Sequence, residues 1–318
     1  MIAARAGGAV LLATVVTGLL GGCENSSGAS VPPSQQVFGS TGMGPGEFSY
    51  PRAIARGTDD RFYIVDKAAR VQCYDKHGRF LFDWRMPDHL AGKPTGLGVG
   101  PDGRVYVADT HYFRVVVFEP DGTYLTEFGC EGEGPGQFIM PTDVAVSPTG
   151  EIYVSEYGGN DRISKFSPDF EHLLSFGGPD AGAAQLQRPQ ELYADADGSL
   201  WVADACNHRI CHFSPEGELL DSFGRNGNGL GELRFPYGLD RLSDGTFVVC
   251  EYGSNRVQRF SAAGQSLGTW GRAGRGQGEL AYPWAVAVGS DDQVWIVDSG
   301  NNRVQVIDGR AAATWRGP

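Results

Sequence analysis

Six copies of one sequence pattern predict an all-β fold, a six-bladed β-propeller. Each copy has a proline that opens an apolar strand, an Asp or Glu that ends the next strand, and an arginine that opens a third. All three series recur with a period of 43 to 48 residues. The runs between them are short, β-branched and aromatic, without helical periodicity. One copy cannot bury both faces of its own sheet, so we expect the copies to pack in a closed ring.

The repeated residues define the predicted blades. The prolines are Pro51, Pro94, Pro141, Pro189, Pro236 and Pro283. The acids are Asp66, Asp109, Glu156, Asp204, Glu251 and Asp298. The arginines are Arg70, Arg114, Arg162, Arg209, Arg256 and Arg303. Because every copy carries the acid and the arginine, we interpret them as a buried structural ion pair rather than as a ring of binding residues.

The chain contains 47 glycines, which indicates many tight turns. Asp-Gly pairs such as Asp102-Gly103 and Asp197-Gly198 predict hairpin turns within the blades. Glycine-rich segments such as residues 42–48 and 274–280 superficially resemble phosphate-binding loops. Neither a following helix nor a Lys-Ser/Thr pair accompanies them, so they are predicted to connect one blade to the next.

The N-terminus has the pattern of an export signal. Arg5 precedes an apolar run that ends in Leu20-Gly21-Gly22-Cys23, which resembles the bacterial lipobox. We therefore predict a lipoprotein-type signal peptide (residues 1–22), a flexible tether (residues 23–35) and a propeller (residues 36–318). The mature protein is expected to be anchored through a lipid on Cys23 and to face the periplasm or the cell exterior. The alternative is an ordinary cleaved signal with an incidental cysteine.

Charge and cysteine content restrict the partners. Removing residues 1–22 takes away one arginine and no acid, so the net charge changes from −12 to −13. This excess of acids argues against a nucleic-acid partner. Five cysteines remain after Cys23 in an oxidising compartment, which permits at most two internal disulfides and leaves their pairing open. They are Cys73, Cys130, Cys206, Cys211 and Cys250.

The strand and loop residues of the copies resemble the NHL repeat. The resemblance lies in an apolar strand ending in Val-Ala-Asp and a loop containing Asn, Arg and Ile or Val, as in residues 201–210, 251–258 and 298–305. It implies a six-bladed propeller, and blade one is the most divergent copy. Either Gln36–Phe38 or residues 312–315 could supply the last strand of blade six.

Two segments resemble metal or haem sites, but neither predicts a bound metal or another cofactor. Cys206, Cys211 and His212 form a stretched version of a haem-attachment motif, but the repeat register already explains this segment. NHL-like amidating lyases carry a zinc-binding His directly after the blade-opening proline in three blades. Here those positions hold Arg52, Thr95, Thr142, Gln190, Tyr237 and Trp284, so that zinc site is not expected.

Residues that differ between the copies predict a binding face at one mouth of the central channel. The candidates near the mouth are Arg52, Asp143, Gln190, Glu191, Tyr237 and Trp284, with Tyr157 and Tyr252 further out. We expect a membrane-anchored binding or scaffold protein whose ligand is a protein, a peptide or a glycan of the cell envelope. The alternative is a lyase, lactonase or hydrolase at the channel axis, for which Asp143 and Glu191 are the candidate carboxylates.

Overall fold

The computed structural model of the protein describes residues 34–90 and 92–317, which form a six-bladed β-propeller as predicted. The predicted signal peptide, Cys23 and all but the last two residues of the predicted tether lie outside the described residues. Among the described residues, no helix has the length and apolar character needed to cross a bilayer.

Each blade is a four-stranded antiparallel sheet, and its first strand lies innermost. Blade one comprises β4 (Pro51–Arg56), β5 (Phe62–Asp66), β6 (Arg70–Tyr74) and β7 (Phe80–Arg85). Blade two comprises β8 (Gly96–Val99), β9 (Val105–Asp109), β10 (Arg114–Phe118) and β11 (Tyr124–Phe128). Blade three comprises β12 (Pro141–Val146), β13 (Ile152–Glu156), β14 (Arg162–Phe166) and β15 (His172–Phe176). Blade four comprises β16 (Pro189–Ala194), β17 (Leu200–Asp204), β18 (Arg209–Phe213) and β19 (Leu219–Phe223).

Blades five and six complete the ring. Blade five comprises β20 (Pro236–Arg241), β21 (Phe247–Glu251), β22 (Arg256–Phe260) and β23 (Ser266–Trp270). Blade six comprises β24 (Pro283–Val288), β25 (Gln293–Asp298), β26 (Arg303–Asp308) and the N-terminal strand β1 (Gln36–Phe38). A short parallel pair, β2 (Ser40–Thr41) and β3 (Glu47–Phe48), leads into blade one. The short 3-10 helices are Thr110–Tyr112, Gly182–Ala184, Ala205–Asn207, Ser299–Asn301 and Ala312–Thr314.

The six innermost strands, β4, β8, β12, β16, β20 and β24, contact one another in a closed cycle around the channel. Apolar side chains fill the space between neighbouring blades. Between blades six and one, the buried rings of Phe62 and Trp295 stack with their centroids 3.9 Å apart. Burying rings of this size contributes several kcal/mol at each blade interface, which explains how sheets that are marginal alone become stable in the ring.

The N-terminal strand closes the ring, which decides between the two segments considered for that place. β1 pairs antiparallel with β26, so that Gln36 lies opposite Val306 and Phe38 opposite Val304. The C-terminal segment instead lies along the outer edge of blade five, where Thr269 and Arg316 exchange two backbone hydrogen bonds of 3.0 and 2.9 Å. Trp315 is buried there in the same apolar cluster as Trp270.

The repeated acid and arginine form an ion pair in every blade, and each acid is fully buried. The N–O distances from blade one to blade six are 3.0, 3.2, 2.5, 2.8, 2.6 and 2.7 Å. In blade six, Arg303 also donates to the carbonyl oxygens of Gly276 and Glu279 in the preceding glycine-rich connector. The carboxylate of Asp298 accepts the backbone N–H of Ala281 at 2.7 Å. The pair therefore fixes the connector between blades, as expected of a structural element.

Candidate functional site

The structure brings together the six residues predicted near the channel mouth. They line one shallow depression, shared with Ala53, Thr95, Thr142 and Ala285. Its free volume is about 10 Å³, which is room for about one water molecule. Side chains thus close the channel at this end, and a larger ligand can only lie across the mouth.

Aromatic rings surround the depression. Tyr237 and Tyr252 stack at 4.7 Å between ring centroids, and Tyr237 meets Trp284 edge-on at 5.0 Å. Tyr252 also contacts Tyr282 at 5.1 Å, and Tyr50 contacts Trp284 at 5.9 Å. Tyr282 is 51% exposed, so its ring is available to a ligand. The predicted residues Tyr237, Tyr252 and Trp284 therefore belong to one continuous aromatic surface.

Two arginines lie on this surface without a carboxylate partner. The guanidinium of Arg52 lies 5.2 Å from the centre of the Trp284 ring. That of Arg188 lies 5.0 Å from the centre of Tyr157 and 5.8 Å from that of Tyr237. Within the described residues neither arginine forms a salt bridge, and the Nε of each is buried without a hydrogen-bond partner. We call this set the mouth cluster: Tyr50, Arg52, Tyr157, Arg188, Tyr237, Tyr252, Tyr282 and Trp284.

Three members of the mouth cluster escaped the sequence analysis because they precede the blade-opening proline instead of following it. Tyr50, Arg188 and Tyr282 have φ angles of 53°, 54° and 50°, in the left-handed region, and Phe235 has the same conformation at 50°. Bulky residues rarely adopt this conformation, which glycine and asparagine tolerate far better. The strained backbone turns these large side chains onto the channel mouth.

Loop residues of the preceding blade hold this conformation. The side-chain oxygen of Asn302 accepts the backbone N–H of Tyr50 at 2.6 Å, and that of Asn255 accepts the N–H of Tyr282 at 2.7 Å. His208 Nδ1 accepts the N–H of Phe235 at 3.2 Å. In blades five and six, the asparagine before the repeat arginine therefore fixes the residue that precedes the next blade-opening proline.

Below the mouth, three carboxylates from adjacent blades lie along the inner strands. Asp143 accepts the backbone N–H groups of Leu97 and Leu192, which belong to the blades on either side of it. Glu191 accepts the N–H of Leu239 at 3.1 Å. Asp240 likewise accepts the N–H of Val288 in the next blade. These carboxylates therefore join the innermost strands, which share no backbone ladder with one another.

Burial shifts the ionisation of all three groups in the same direction. Loss of solvation raises the pKa of Asp143 and, together with the nearby Asp143 and Asp240 carboxylates, raises the pKa of Glu191 well above its ordinary value. Burial raises the pKa of Asp240 to about 6. The enzyme alternative needed a cluster of two or three carboxylate or His side chains at the channel axis. Asp143, Glu191 and Asp240 lie near one another there, and both oxygens of Asp143 and one oxygen of Glu191 accept backbone amides. In the described part of the chain, no group of three or more His, Cys, Asp or Glu side chains is placed to hold a metal.

A larger cavity opens at the opposite end of the channel, and the sequence analysis did not predict it. Its volume is about 520 Å³, and the ends of the innermost strands line it, with Arg56, Asp240, Arg241 and Ser290 among the polar side chains. Of the described residues, only Glu191 lines both this cavity and the mouth. Most of its lining residues belong to the ends of the six innermost strands, and a single sequence does not show how far apart these ends lie.

The cysteines do not assemble a site. All five described cysteines are free thiols, so no disulfide forms among them. Cys211 is buried next to Asp204, whereas the neighbouring His212 stacks on Trp201 with ring centroids 3.9 Å apart. Alternation along the strand sends these two side chains to opposite faces, which explains why they do not converge.

Comparisons with known proteins identify the repeat. Residues 92–118, 186–213 and 280–307 match the NHL repeat. The peptidylglycine alpha-amidating monooxygenase of Rattus norvegicus is 32% identical over 133 residues, which are 37% of this chain and 13% of that protein. The brain tumor protein of Drosophila melanogaster is 29% identical over 98 residues, which are 29% of this chain and 9% of that protein. The chain thus spans a small part of the length of these relatives.

Two solved structures share the architecture. The virginiamycin B lyase from Staphylococcus aureus has a TM-score of 0.57 at 18% identity, with 87% of this chain and 89% of that chain covered. A structural genomics protein of unknown function from Bacteroides thetaiotaomicron has a TM-score of 0.66 at 18% identity, with 85% and 74% covered. At this level of identity the likeness establishes the fold alone.

Proposed function

Because the chain is a six-bladed β-propeller that contains NHL repeats, we propose that it is a binding protein whose mouth cluster receives its ligand. The ligand belongs to the cell envelope and is a protein, a peptide or a glycan. Export and a lipid on Cys23 would keep the propeller at a membrane surface, where such ligands occur. The fold itself supplies the rigid ring, and the residues that differ between blades supply the specificity.

The strained presentation of the mouth residues carries this proposal. A left-handed conformation costs a bulky residue about 1–2 kcal/mol relative to the right-handed regions. Glycine would relieve that strain, yet three of the six pre-proline positions place Tyr50, Arg188 and Tyr282 in the mouth cluster instead. Strain of this kind concentrates at binding and catalytic sites, where the side chain itself is needed.

Tyr282→Gly is expected to weaken ligand binding without harming the fold. The substitution relieves the left-handed strain, so the free energy of unfolding should stay the same or rise by up to about 1 kcal/mol. Loss of an exposed aromatic anchor should weaken ligand binding at least about tenfold. The measurement is binding of the purified protein to an array of glycans and peptides, together with urea denaturation.

The matched control is Tyr124→Ala, which removes a tyrosine of similar exposure (47% against 51%) from an outermost strand. It should leave binding unchanged. Equal binding by wild type and Tyr282→Gly, or equal losses in both variants, would contradict the assignment of the mouth as the binding site.

The anchor has a separate test. Cys23→Ser removes the thiol that would carry the lipid, so the protein should move from the membrane fraction to the soluble fraction after cell lysis. Tyr282→Gly serves as the control here, because it leaves Cys23 intact and should remain in the membrane fraction. A Cys23→Ser protein that still sediments with membranes after a high-salt wash would refute the lipid anchor.

A further inference from the structure

We infer that the ligand of the mouth cluster is an acidic glycan, a sugar that carries a carboxylate or sulfate group beside a ring that can stack on tyrosine. This inference rests on the proposed function, since it names the chemistry of the same site. It follows from the charge of the cluster, from its aromatic surface and from its depth.

The mouth carries two arginines without a salt bridge to a described residue, although the protein as a whole is acidic. The chain has a net charge of −12, yet Arg52 and Arg188 lie at the mouth without an ion pair in the described structure. Lys93 adds to this region, since its main-chain oxygen accepts a hydrogen bond from Arg52. Burial, followed by the positive charges of Lys93 and Arg52, lowers the pKa of the neighbouring His111. The region thus presents cationic groups in a protein rich in acids.

These arginines differ from the repeat arginines, each of which pairs with a buried carboxylate. Neither guanidinium has a carboxylate partner among the described residues, and an oxyanion ligand would supply one. Planar guanidinium groups bind carboxylate and sulfate oxygens through paired hydrogen bonds. Arg52 and Arg188 are therefore placed to bind an anionic group at the centre of the mouth.

The rest of the mouth suits a sugar ring better than a peptide. With a free volume of about 10 Å³, the depression has no pocket for an amino-acid side chain. Peptides are commonly bound by an unpaired strand edge, but the inner-strand amides of Leu97, Leu192 and Leu239 are taken by Asp143 and Glu191. The exposed ring of Tyr282 and the partly exposed ring of Tyr252 beside it offer an aromatic surface on which the apolar side of a pyranose can lie.

The test uses the mature full-length protein in detergent and four probes of equal length. They are hexagalacturonate, which carries only carboxylates, a κ-carrageenan-derived hexasaccharide, which carries only sulfates, neutral galactohexaose and hexaglutamate. We expect the uronate or the sulfated probe to bind at least about tenfold more tightly than neutral galactohexaose and than hexaglutamate. The affinity of the acidic probe should fall as the salt concentration rises. Which of the two acidic sugars binds better distinguishes carboxylate from sulfate. Calorimetric titration gives the affinities.

Arg52→Gln and Arg188→Gln should each weaken binding of the acidic sugar at least about tenfold, because each variant keeps only one of the two guanidinium groups that bind the anion. Arg225→Gln is the control, since that arginine is 80% exposed and pairs with Glu232 away from the cluster. Thermal melting of each variant shows that the fold is kept. Glutamine removes the charge and also the contact of the guanidinium with the aromatic rings, so the salt dependence of the affinity, compared between wild type and variant, shows the part of a loss that is due to charge.

Equal binding of acidic and neutral sugars, tighter binding of hexaglutamate, or no binding of either acidic sugar would each overturn the inference. The proposed function would survive such a result if the array still shows a ligand that Tyr282→Gly loses. It would fail separately if the bound ligand were insensitive to Tyr282→Gly as well as to both arginine variants.

Discussion

Asp298→Ala is expected to lower the free energy of unfolding by about 3–5 kcal/mol. The carboxylate accepts hydrogen bonds from Arg303 Nε and from the backbone N–H of Ala281, each at 2.7 Å, and from the side chain of Asn301. Its side chain is fully buried, whereas that of Arg303 is 14% exposed. Alanine would leave the guanidinium and the Ala281 amide without their acceptor at the blade that closes the ring.

The measurement is equilibrium denaturation in urea, with Glu216→Ala as the control. Glu216 is exposed on a hairpin turn of blade four and should change the free energy of unfolding by less than about 0.5 kcal/mol. If Asp298→Ala were as stable as the wild type while ligand binding was lost, the repeated ion pairs would be binding residues and not structural ones.

Glu191→Gln is expected to stabilise the propeller at alkaline pH. The pKa of Glu191 is raised in the folded protein, so ionisation is harder in the folded than in the unfolded chain. Stability from the protonated form is therefore complete below the ordinary carboxyl pKa and is lost as the pH rises through the folded pKa. A neutral glutamine avoids this loss, and we expect the variant to gain about 1–3 kcal/mol over the wild type between pH 5 and pH 9.

Wild type and variant have to be compared because several histidines change the stability with pH in the direction opposite to Glu191. Burial lowers the pKa of His172 and His212, which reduces stability as the pH falls through their ordinary range. Thermal melting of both proteins from pH 5 to pH 9 separates the two effects, since the histidines are common to both. Parallel melting curves over this range would show that Glu191 ionises as easily in the folded chain as in the unfolded one.

The repeated residues were sufficient to predict the blades, because each has a local role that recurs. Proline begins the innermost strand, and the acid and arginine fix the connector beside it, so their period gives the number of blades. The position of the six predicted mouth residues, which lie one or two residues after a blade-opening proline, was also predictable. The direction of the innermost strands puts the start of each strand at the same end of the channel. Tyr50, Arg188 and Tyr282 were not, because their orientation depends on a left-handed backbone, which a side chain of another blade holds at Tyr50 and Tyr282.

Two further features depended on long-range packing. A short apolar segment near each end of the propeller could complete blade six. Only the structure shows that β1 pairs with β26, whereas Trp315 lies in the same apolar cluster as Trp270 of blade five. Asp143 and Glu191 were predicted to lie at the channel axis, but their hydrogen-bond partners were not. These partners are backbone amides, which almost every residue carries. A sequence cannot indicate which of these amides meets which carboxylate.

The closing strand has a consequence for the order of folding. β1 is made before every other strand of the propeller and its partner β26 after every other one, so the ring cannot close until the whole propeller has been synthesised. Until then, the outer edge of blade six and the N-terminal segment are both unpaired and open to association with other chains. Contacts between such distant segments form slowly. Closure of the ring is therefore expected to be the slow step of folding and the stage most exposed to misassembly.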